Sequence, residues 1–333
     1  MNKSNIINPI TALGLCSGGL DSILAGMLLM KQSIKVKWVC FETPFFNAEK
    51  AIKASEQTGI PLITHNLTED YIKMLKNPRQ GYGKNMNPCL DCHALMFKTA
   101  GNLMKKFDAQ FLFSGEVLGQ RPMSQTRPSL NYVEKNSGYK GYILRPLCAK
   151  NMQETIPEKN GWVDRSQLLN ITGRSRKRQI ALAKDWNIAD YPNPAGGCLL
   201  TDEKYSIRLK DVFDNGPYKH DRDLFLLQWG RHFRINQKYK IIVGRTQNDN
   251  EHIIKYYKKQ IDILLDVIDY PSPIVLIPYG CDTETIKQAA SIAVSYTRAQ
   301  KNELISVQSS TPEGVNSIKV SSISKDISCQ WMV

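Results

Sequence analysis

The sequence predicts an α/β protein in which a parallel sheet carries helices on both faces, followed by a smaller C-terminal α/β or α+β domain. Between residues 11 and 115, short apolar runs alternate with amphipathic segments of helical periodicity. A Gly-rich turn separates the first apolar run from the first amphipathic segment. A second alternation of the same kind begins near residue 230. These three observations together predict two domains.

The first domain contains four apolar runs that are bounded by turn residues or followed by helical periodicity. Strands are predicted at 11–16, 35–42, 61–67 and 109–115, and helices at 20–32, 46–59 and 90–107. Gly59 is the residue type that ends helices in a left-handed conformation, so we expect the second helix to stop there. Alternating strands and helices of these lengths are typical of a parallel sheet whose two faces are both covered.

The second domain is predicted from a similar alternation. Strands are expected at 239–245, 261–269 and 273–280, and helices at 248–260 and 282–300. The Ser-, Thr- and Val-rich segment 305–326 has weak periodicity and predicts either a weakly anchored tail or one added edge strand. We therefore expect domains at 1–215 and 216–305, with a tail at 306–333.

Charge and composition restrict the class of partner and the compartment. Lys and Arg number 44 against 31 Asp and Glu, a formal net charge of +13, which favours a polyanion such as RNA over a neutral partner. No apolar run approaches the roughly 20 residues of a membrane span, and no secretory signal is recognisable, so no membrane partner and a cytoplasmic location are expected. In a reducing compartment the eight cysteines indicate metal, redox or core roles rather than disulfides.

The turn after the first strand has the sequence Ser17-Gly18-Gly19-Leu20-Asp21-Ser22. Two glycines allow a ligand to approach the backbone closely, and the following helix begins with unpaired N–H groups and a positive dipole end. Ser17 and Ser22 add hydroxyl donors. Asp21 would repel a phosphate, so its expected role is to help hold Mg²⁺ or to keep the loop in shape. The loop lacks the lysine of GxxxxGK[ST] phosphate loops.

This loop resembles the SGGxDS loop of the ATP pyrophosphatase (PP-loop) family, whose fold is that of the adenine nucleotide alpha hydrolases. The resemblance implies that ATP is split into AMP and pyrophosphate while a substrate is adenylated. It also implies that ATP and Mg²⁺ bind at the carboxyl end of the first strand.

Further segments are similar to tRNA 4-thiouridine synthetases, in the same order along the chain. They are FETPFFNAEKA (41–51), SGEVLGQRPMSQT (114–126), ILRPL (143–147) and TGRSRKRQ (172–179). The resemblance implies that Ser114, Gly115 and Glu116 lie beside the nucleotide and that Gln120 lines the same pocket. A carboxylate favoured by a helix dipole and a plain surface amide are the alternatives for Glu116 and Gln120.

Three cysteines form the second candidate site. Cys89 and Cys92 form a CxxC at the start of a helix, where thiolates are favoured, and Cys198 lies in a Gly-containing loop and is the expected third ligand. The set resembles tRNA thiolases in which three cysteines hold a [4Fe–4S] cluster with one open iron, and so implies that cluster as a cofactor. A zinc site with His93 as a further ligand and a persulfide relay remain alternatives.

Basic residues mark the expected RNA contacts. Arg174, Arg176, Lys177 and Arg178 cluster at the start of a helix, which predicts contacts to a phosphate backbone, although a solvated helix face is the alternative. Residues 229–300 are similar to the RNA-binding module of the NFACT family, and this resemblance places Arg245 near the contact surface.

The sequence thus predicts an ATP-dependent tRNA sulfurtransferase that makes 4-thiouridine rather than 2-thiouridine, with Asp21 and the three cysteines as its catalytic residues. Its partners would be tRNA and a sulfur donor, either hydrosulfide or a persulfide made by a desulfurase, and a homodimer is left open. Two alternatives stand beside it: an enzyme that adenylates a small metabolite, and an RNA-binding factor without catalytic activity.

Overall fold

A computed structural model describes residues 9–193, 198–300 and 302–333, and it divides the chain into two compact units. The first unit ends at Thr201 and the second begins at Asp202. Within the described residues, no helix combines the length and the apolar composition that a membrane crossing requires.

The first unit is built on the predicted parallel sheet. Its five strands lie in the order β3-β2-β1-β4-β5, and every neighbouring pair is parallel. The strands are β1 (Thr11–Leu15), β2 (Lys35–Glu42), β3 (Leu62–Asn66), β4 (Phe111–Ser114) and β5 (Ile143–Leu144). The four predicted strands are confirmed, and β5 adds an edge strand of two residues.

Helices cover the sheet through crossover connections. They are α1 (Leu20–Met30), α2 (Glu49–Thr58), α3 (Thr68–Lys76), α4 (Cys89–Met104), α5 (Arg127–Ser137), α6 (Ile156–Lys159) and α7 (Lys177–Asp185). The chain runs from β1 outward to β3 and then returns to β4 beside β1. Because such crossovers are right-handed, α1 and α2 cover one face, and the later helices α4 and α5 cover the other. Accordingly α1 contacts α2 and α7, whereas α4 contacts α3 and α5.

The core of this unit lies on both sides of its central strands. Phe111 and Phe113 of β4 and Trp38 of β2 are fully buried, as are Leu13 of β1 and Leu24 of α1. Continuous burial along a strand is expected where both faces of a parallel sheet are covered. The carboxyl ends of β1 and β4 therefore sit on a rigid base.

The second unit contains a six-stranded antiparallel sheet in the order β11-β10-β8-β9-β7-β6. The strands are β6 (Arg231–Ile235), β7 (Tyr239–Val243), β8 (Ile263–Val267), β9 (Val275–Ile277), β10 (Ile305–Thr311) and β11 (Gly314–Val320). The helices are α8 (Glu203–Asn215), α9 (Arg222–Leu226), α10 (Gln247–Tyr256), α11 (Thr283–Val294) and α12 (Lys325–Gln330). The unit is therefore α+β, one of the two predicted alternatives.

Two boundaries differ from the sequence prediction. The helix α8, which the sequence assigned to the first domain, belongs to the second unit. The physical reason is that Tyr205 Oη donates to the Leu224 carbonyl at 3.1 Å and Arg208 donates to the Leu227 carbonyl at 2.8 Å. The segment that was expected to be a tail forms the β10–β11 hairpin and α12. The sheet thus gains two strands there, where the sequence offered at most one.

Candidate active site of the first unit

The site begins at the point where the strand order reverses. The strands β1 and β4 are neighbours in the sheet, but the chain leaves β1 toward one edge and β4 toward the other. In parallel sheets, ligands bind outside the carboxyl ends of the strands at this switch point, because the two following loops diverge and leave a crevice. Ser17–Ser22 follows β1 and Gly115 follows β4. Both predicted loops therefore border this crevice.

The loop after β1 is held by its own short hydrogen bonds. Gly18 has a φ of 72°, a conformation that favours glycine, and a Cβ added there would lie 2.2 Å from the Lys50 carbonyl carbon. The amide and the hydroxyl of Ser22 both donate to the Gly19 carbonyl, at 3.0 and 2.7 Å. Ser17 is exposed. The loop is thus fixed before any ligand binds, with the Ser17 hydroxyl facing solvent.

The loop after β4 packs directly on the first turn of α1. A Cβ added to Gly115 would lie 2.3 Å from the carbonyl carbon of Asp21 and 2.4 Å from the amide nitrogen of Ser22. Only a glycine allows this approach. The predicted role of Gly115 beside the nucleotide loop therefore has a steric basis in the structure.

A chain of three polar side chains crosses the site. Gln120 donates to Asp21 Oδ2 at 2.6 Å, and Gln179 of α7 donates to Gln120 Oε1 at 2.9 Å. Burial raises the pKa of Asp21, and the Gln120 hydrogen bond and the charges of Arg176 and Arg121 partly offset that rise. Gln120 is therefore not a surface amide, because it orients the carboxylate of the loop.

Three buried polar atoms around this chain have no protein partner. They are Oδ1 of Asp21, Oε1 of Gln179 and Nε of Arg176. Buried polar atoms are normally paired, so each of these is a candidate contact for a ligand. Two oxygen acceptors suit Mg²⁺ or a donor group, and a guanidinium suits a phosphate oxygen. The residues present thus fit ATP and Mg²⁺.

Arg176 accordingly differs from its sequence neighbours. Arg174 and Lys177 are exposed, and Arg178 donates to Asn170 Oδ1 at 2.8 Å. Arg176 instead is half-buried, and its charge acts on Asp21. The structure therefore places Arg176 at the candidate nucleotide site, whereas the sequence grouped it with the RNA-contacting surface.

Glu116 is buried and fully engaged by protein groups. His93 Nδ1 lies 2.8 Å from its Oε1, and both Ser114 Oγ and Arg145 Nε donate to its Oε2, at 3.1 and 2.9 Å. Burial alone would raise its pKa, but the charges of Arg145 and His93 prevail and lower the pKa to about 2. Ser114 and Glu116 therefore stabilise the wall of the site through Arg145 and His93. Both oxygens of the Glu116 carboxylate are bound by protein groups and are not available to a ligand.

The three predicted cysteines come together at the same edge of the sheet. Cys89 and Cys92 lie in the first turn of α4, and Asn87 Nδ2 lies 3.3 Å from Cys89 Sγ. The Cys198 segment is fixed by two hydrogen bonds, from the Leu199 amide to the Phe45 carbonyl and from Asn85 to the Thr201 carbonyl. These contacts bring Cys198 to the two cysteines of α4.

The pKa shifts of these residues also indicate that the three cysteines lie close to one another. Burial raises the pKa of Cys92, and the charges of Cys198 and Cys89 add to the rise. Burial also raises the pKa of Cys198 to about 11, again with a contribution from Cys89. Tyr71 is buried beside all three, and its pKa is raised by burial and then by Cys92 and Cys198. Burial therefore disfavours the thiolate forms of Cys92 and Cys198.

The predicted cofactor of these cysteines is an iron–sulfur cluster, with zinc as the alternative. In the parts of the chain that the structure describes, no group of three or more His, Cys, Asp or Glu side chains is arranged to hold one metal ion. A zinc ion needs its sulfur ligands within about 2.3 Å of one point, whereas the cysteines of a cluster bind different irons and stand farther apart. The cluster and zinc therefore both stay predictions for these cysteines.

A continuous set of contacts joins the cysteines to the nucleotide loop. His93 follows Cys92 in α4 and contacts Glu116, and Glu116 follows Gly115, which packs on Asp21. Sequence reasoning missed Gln179, Arg145 and Tyr71, because single residues on separate elements form no pattern along the chain. Arg145 and Gln179 carried a signal, since they lie within the segments ILRPL and TGRSRKRQ.

The predicted basic residue of the second unit has a protein partner. Arg245 Nε donates to Asp249 Oδ2 at 2.7 Å, and its side chain is 40% exposed. The Asp249 amide in turn donates to Thr246 Oγ1, the cap of α10, at 3.2 Å. Arg245 is therefore held in place at the start of α10 while part of its guanidinium stays open to solvent.

Comparisons with known proteins divide the chain in the same two parts. Residues 10–159 match the family model described as Thiamine biosynthesis protein (ThiI). Residues 230–332 match the model described as NFACT protein RNA binding domain. Both resemblances expected from the sequence are therefore confirmed.

Several curated relatives match part of the chain. The tRNA sulfurtransferase of Marinobacter nauticus is 28% identical over 44% of this chain and 30% of its own length. The probable tRNA sulfurtransferase of Mycoplasmopsis agalactiae is 31% identical over 61% of this chain and 52% of its own length. The tRNA-specific 2-thiouridylase MnmA of Mycoplasma genitalium is 25% identical over 62% of this chain and 61% of its own length. The chain thus spans between 30% and 61% of the length of these relatives.

Proposed function

We propose that this protein is an enzyme that thiolates a uridine of tRNA in two steps, adenylation by ATP followed by sulfur transfer. The observation that carries the proposal is the group of unpaired buried atoms on Asp21, Gln179 and Arg176 at the switch point, beside a set of three thiols. The ThiI family match and the relatives named tRNA sulfurtransferase support the same reaction class.

In the first step, the uridine carbonyl oxygen attacks the α-phosphate of ATP, and pyrophosphate leaves. The backbone of Ser17–Ser22 and the start of α1 bind the phosphates through N–H groups. Arg176 offsets the negative charge that the leaving pyrophosphate carries. Asp21 and Gln179 would hold Mg²⁺, which supplies charge neutralisation between phosphate oxygens when bound. Gln120 keeps the Asp21 carboxylate oriented toward the crevice.

In the second step, a sulfur nucleophile adds to the activated ring carbon, the C–O bond breaks, and AMP leaves with the former carbonyl oxygen. Loss of the proton from sulfur then gives the thiocarbonyl. Cys89, Cys92 and Cys198 would hold a [4Fe–4S] cluster whose open iron supplies bound hydrosulfide. The site must exclude water once the adenylate has formed, because water would otherwise hydrolyse it. Zinc and a cysteine persulfide are the alternative sulfur chemistries.

The favoured product is 4-thiouridine, because the segments 41–51, 114–126, 143–147 and 172–179 are similar to tRNA 4-thiouridine synthetases. The ThiI family match over residues 10–159 supports the same choice. The similarity to the 2-thiouridylase of Mycoplasma genitalium keeps 2-thiouridine as the second candidate. The NFACT match supports RNA as the partner of the second unit. A small-metabolite substrate would leave that unit without a role, and a non-catalytic RNA-binding factor would leave the unpaired atoms at Asp21 without one.

The test uses anaerobically purified full-length protein with ATP, sulfide and unmodified tRNA. We expect AMP and pyrophosphate to form only with tRNA present, in step with thiouridine in the tRNA digest. A brown preparation with absorbance near 400 nm would support the cluster. AMP formation without tRNA would favour an enzyme that adenylates a small metabolite. Absence of ATP turnover would favour an RNA-binding factor without catalytic activity.

A further inference from the structure

A cavity of about 530 Å³ lies in the second unit, and none of its lining residues belongs to the candidate active site. Its walls are the start of α11, the loop before it and the inner face of the β10–β11 hairpin. The residues that matter for its chemistry are Ser309, Asn316, Ile318, Ile286, Lys287 and Glu313. A space of this size accommodates one nucleoside.

The hairpin register places polar groups among apolar ones on the cavity side. Ser309 pairs with Asn316, and Val307 pairs with Ile318. Side chains of directly paired residues point to the same face of a sheet. The cavity therefore has an apolar wall, from Ile318 and Ile286, next to a hydroxyl and an amide.

Ser309 is the clearest sign of a missing ligand. Only 2% of this residue is exposed, and its Oγ has no hydrogen-bond partner. Its neighbours on the same face of β10, Ile305 and Val307, are apolar core residues. An unpaired hydroxyl at such a position destabilises the folded chain unless a ligand completes it. The cavity is thus built to accept a hydrogen bond from, or donate one to, a bound molecule.

The charges around the cavity disfavour an anion. Lys287 is balanced by Glu313 in the lining. The positive end of α11 is already capped, because Asp282 Oδ1 accepts a hydrogen bond from the Thr285 amide at 2.8 Å. A neutral, flat group with donors and acceptors on its edge fits such walls better than a phosphate does.

The geometry points to this cavity as a binding site for one unpaired nucleobase of RNA, with its ring on Ile286 and Ile318 and its edge at Ser309 and Asn316. This inference rests on the proposed RNA partner and deepens it. The phosphates of the bound strand remain outside, where solvent and basic side chains neutralise them.

The test measures binding of fluorescent RNA to the full-length protein by anisotropy. One RNA is a hairpin with a short single-stranded overhang, and the other is the same hairpin with a blunt end. We expect tighter binding of the overhang RNA, and about a tenfold loss of that binding in Asn316→Leu. The matched control is Ser317→Leu, because this exposed neighbour on β11 points to the opposite face.

A second variant separates binding from folding. Ser309→Ala removes the unpaired hydroxyl, so we expect a higher melting temperature together with about a fivefold weaker affinity for the overhang RNA. Equal affinity of the wild type for both RNAs, or unchanged affinity in Asn316→Leu and Ser309→Ala, would overturn the inference. AMP formation with tRNA in the same preparations shows whether the proposed function fails with it.

Discussion

Asp21 lies in an environment that disfavours its charged form, and one of its oxygen atoms has no hydrogen-bond partner. Its carboxylate is buried, one oxygen is bound by Gln120, and Oδ1 has no partner. Burial raises its pKa, which means that ionisation is less favourable in the folded chain than in the unfolded one. A folded protein retains such a group only if a ligand uses it. Asp21 is therefore the residue at which stability and activity should oppose each other.

The first prediction concerns Asp21→Asn. Because the raised pKa makes the ionised carboxylate destabilising above its unfolded pKa, the variant should melt at a higher temperature than the wild type at pH 7. Its AMP formation should fall by about 100-fold, since the charge that holds Mg²⁺ is lost. Calorimetry and a pyrophosphate assay measure the two effects. A variant that is less stable and still active would show that Asp21 only shapes the loop.

The second prediction separates Arg176 from the exposed basic residues beside it. Arg176→Gln should lower AMP formation by about 100-fold, because the proposed reaction needs the guanidinium charge next to the phosphates. The matched control is Arg174→Gln, since Arg174 is exposed and two residues away. It should keep the turnover number at saturating tRNA. An equal loss of AMP formation in both variants would indicate that Arg176 contacts RNA, as the sequence predicted, and not the nucleotide.

The third prediction concerns the buried carboxylate of Glu116. Its pKa is lowered from 4.5 to about 2, so its stabilising effect is present at neutral pH and disappears as the pH falls through that window. Glu116→Gln should reduce the free energy of unfolding at pH 7 by about 3 kcal/mol, because Arg145 loses a buried partner. Urea titrations at pH 7 and at about pH 3 should show a smaller difference at the acid pH.

The control for that titration is Glu154→Gln. Glu154 is largely exposed and lies 3.9 Å from Arg165, so its contribution to stability should be below about 1 kcal/mol at either pH. A pH-independent loss in Glu116→Gln would mean that packing, rather than its charge, explains the effect.

At the residue scale, the sequence predicts groups that form a local motif and misses those that do not. The loop Ser17–Ser22 could be predicted from the sequence alone, because a strand, two glycines and a helix follow one another along the chain. Gln179 lies in the segment TGRSRKRQ, but its contacts to Gln120 and Asp21 exist only after the chain folds. Glu116 was expected beside the nucleotide by resemblance, but its partners Arg145 and His93 could not be predicted, because they are distant from it in sequence.

At the scale of elements, the nucleotide loop depends on close backbone contacts. Gly18 and Gly59 have nearly the same left-handed φ, 72° and 71°. An added Cβ at Gly18 would lie 2.2 Å from the Lys50 backbone, whereas Gly59, which ends α2, has nothing within 4 Å. A substitution at Gly59 therefore introduces conformational strain alone, whereas a substitution at Gly18 introduces the same strain and a steric clash.

The fourth prediction uses this pair. Gly59→Ala should cost only the left-handed strain, about 1 kcal/mol of unfolding free energy, and should keep activity. Gly18→Ala should cost at least about 2 kcal/mol and abolish AMP formation, because the loop must move away from Lys50. Chemical denaturation and the pyrophosphate assay test both variants. Equal losses would remove the steric argument for this loop.

Periodic elements were predicted well and irregular ones were not. The strand at 35–42 and the helices near 20–32 and 46–59 match the structure within a few residues, because apolar periodicity determines them. The helix α3 was missed, since its nine residues follow β3 without a turn signal. The strand β11 was weakly signalled because it lies at a sheet edge and most of its side chains are exposed.

At the scale of the whole molecule, two units carry two kinds of chemistry. The first holds the thiols and the unpaired atoms of the switch point, and the second matches an RNA-binding domain. The division before α8 could not be read from composition, because α8 is an ordinary amphipathic helix whose side-chain contacts alone assign it to the second unit. The proposed thiolation of tRNA therefore requires both units.

The most direct test of that claim is thionucleoside analysis of tRNA by mass spectrometry in a strain that lacks the gene. We expect 4-thiouridine to disappear, to return with the wild-type gene, and to remain absent with Cys198→Ser. The control Cys329→Ser, an exposed cysteine of the second unit, should restore it fully. Unchanged 4-thiouridine and 2-thiouridine levels in the deletion strain would contradict the proposed function.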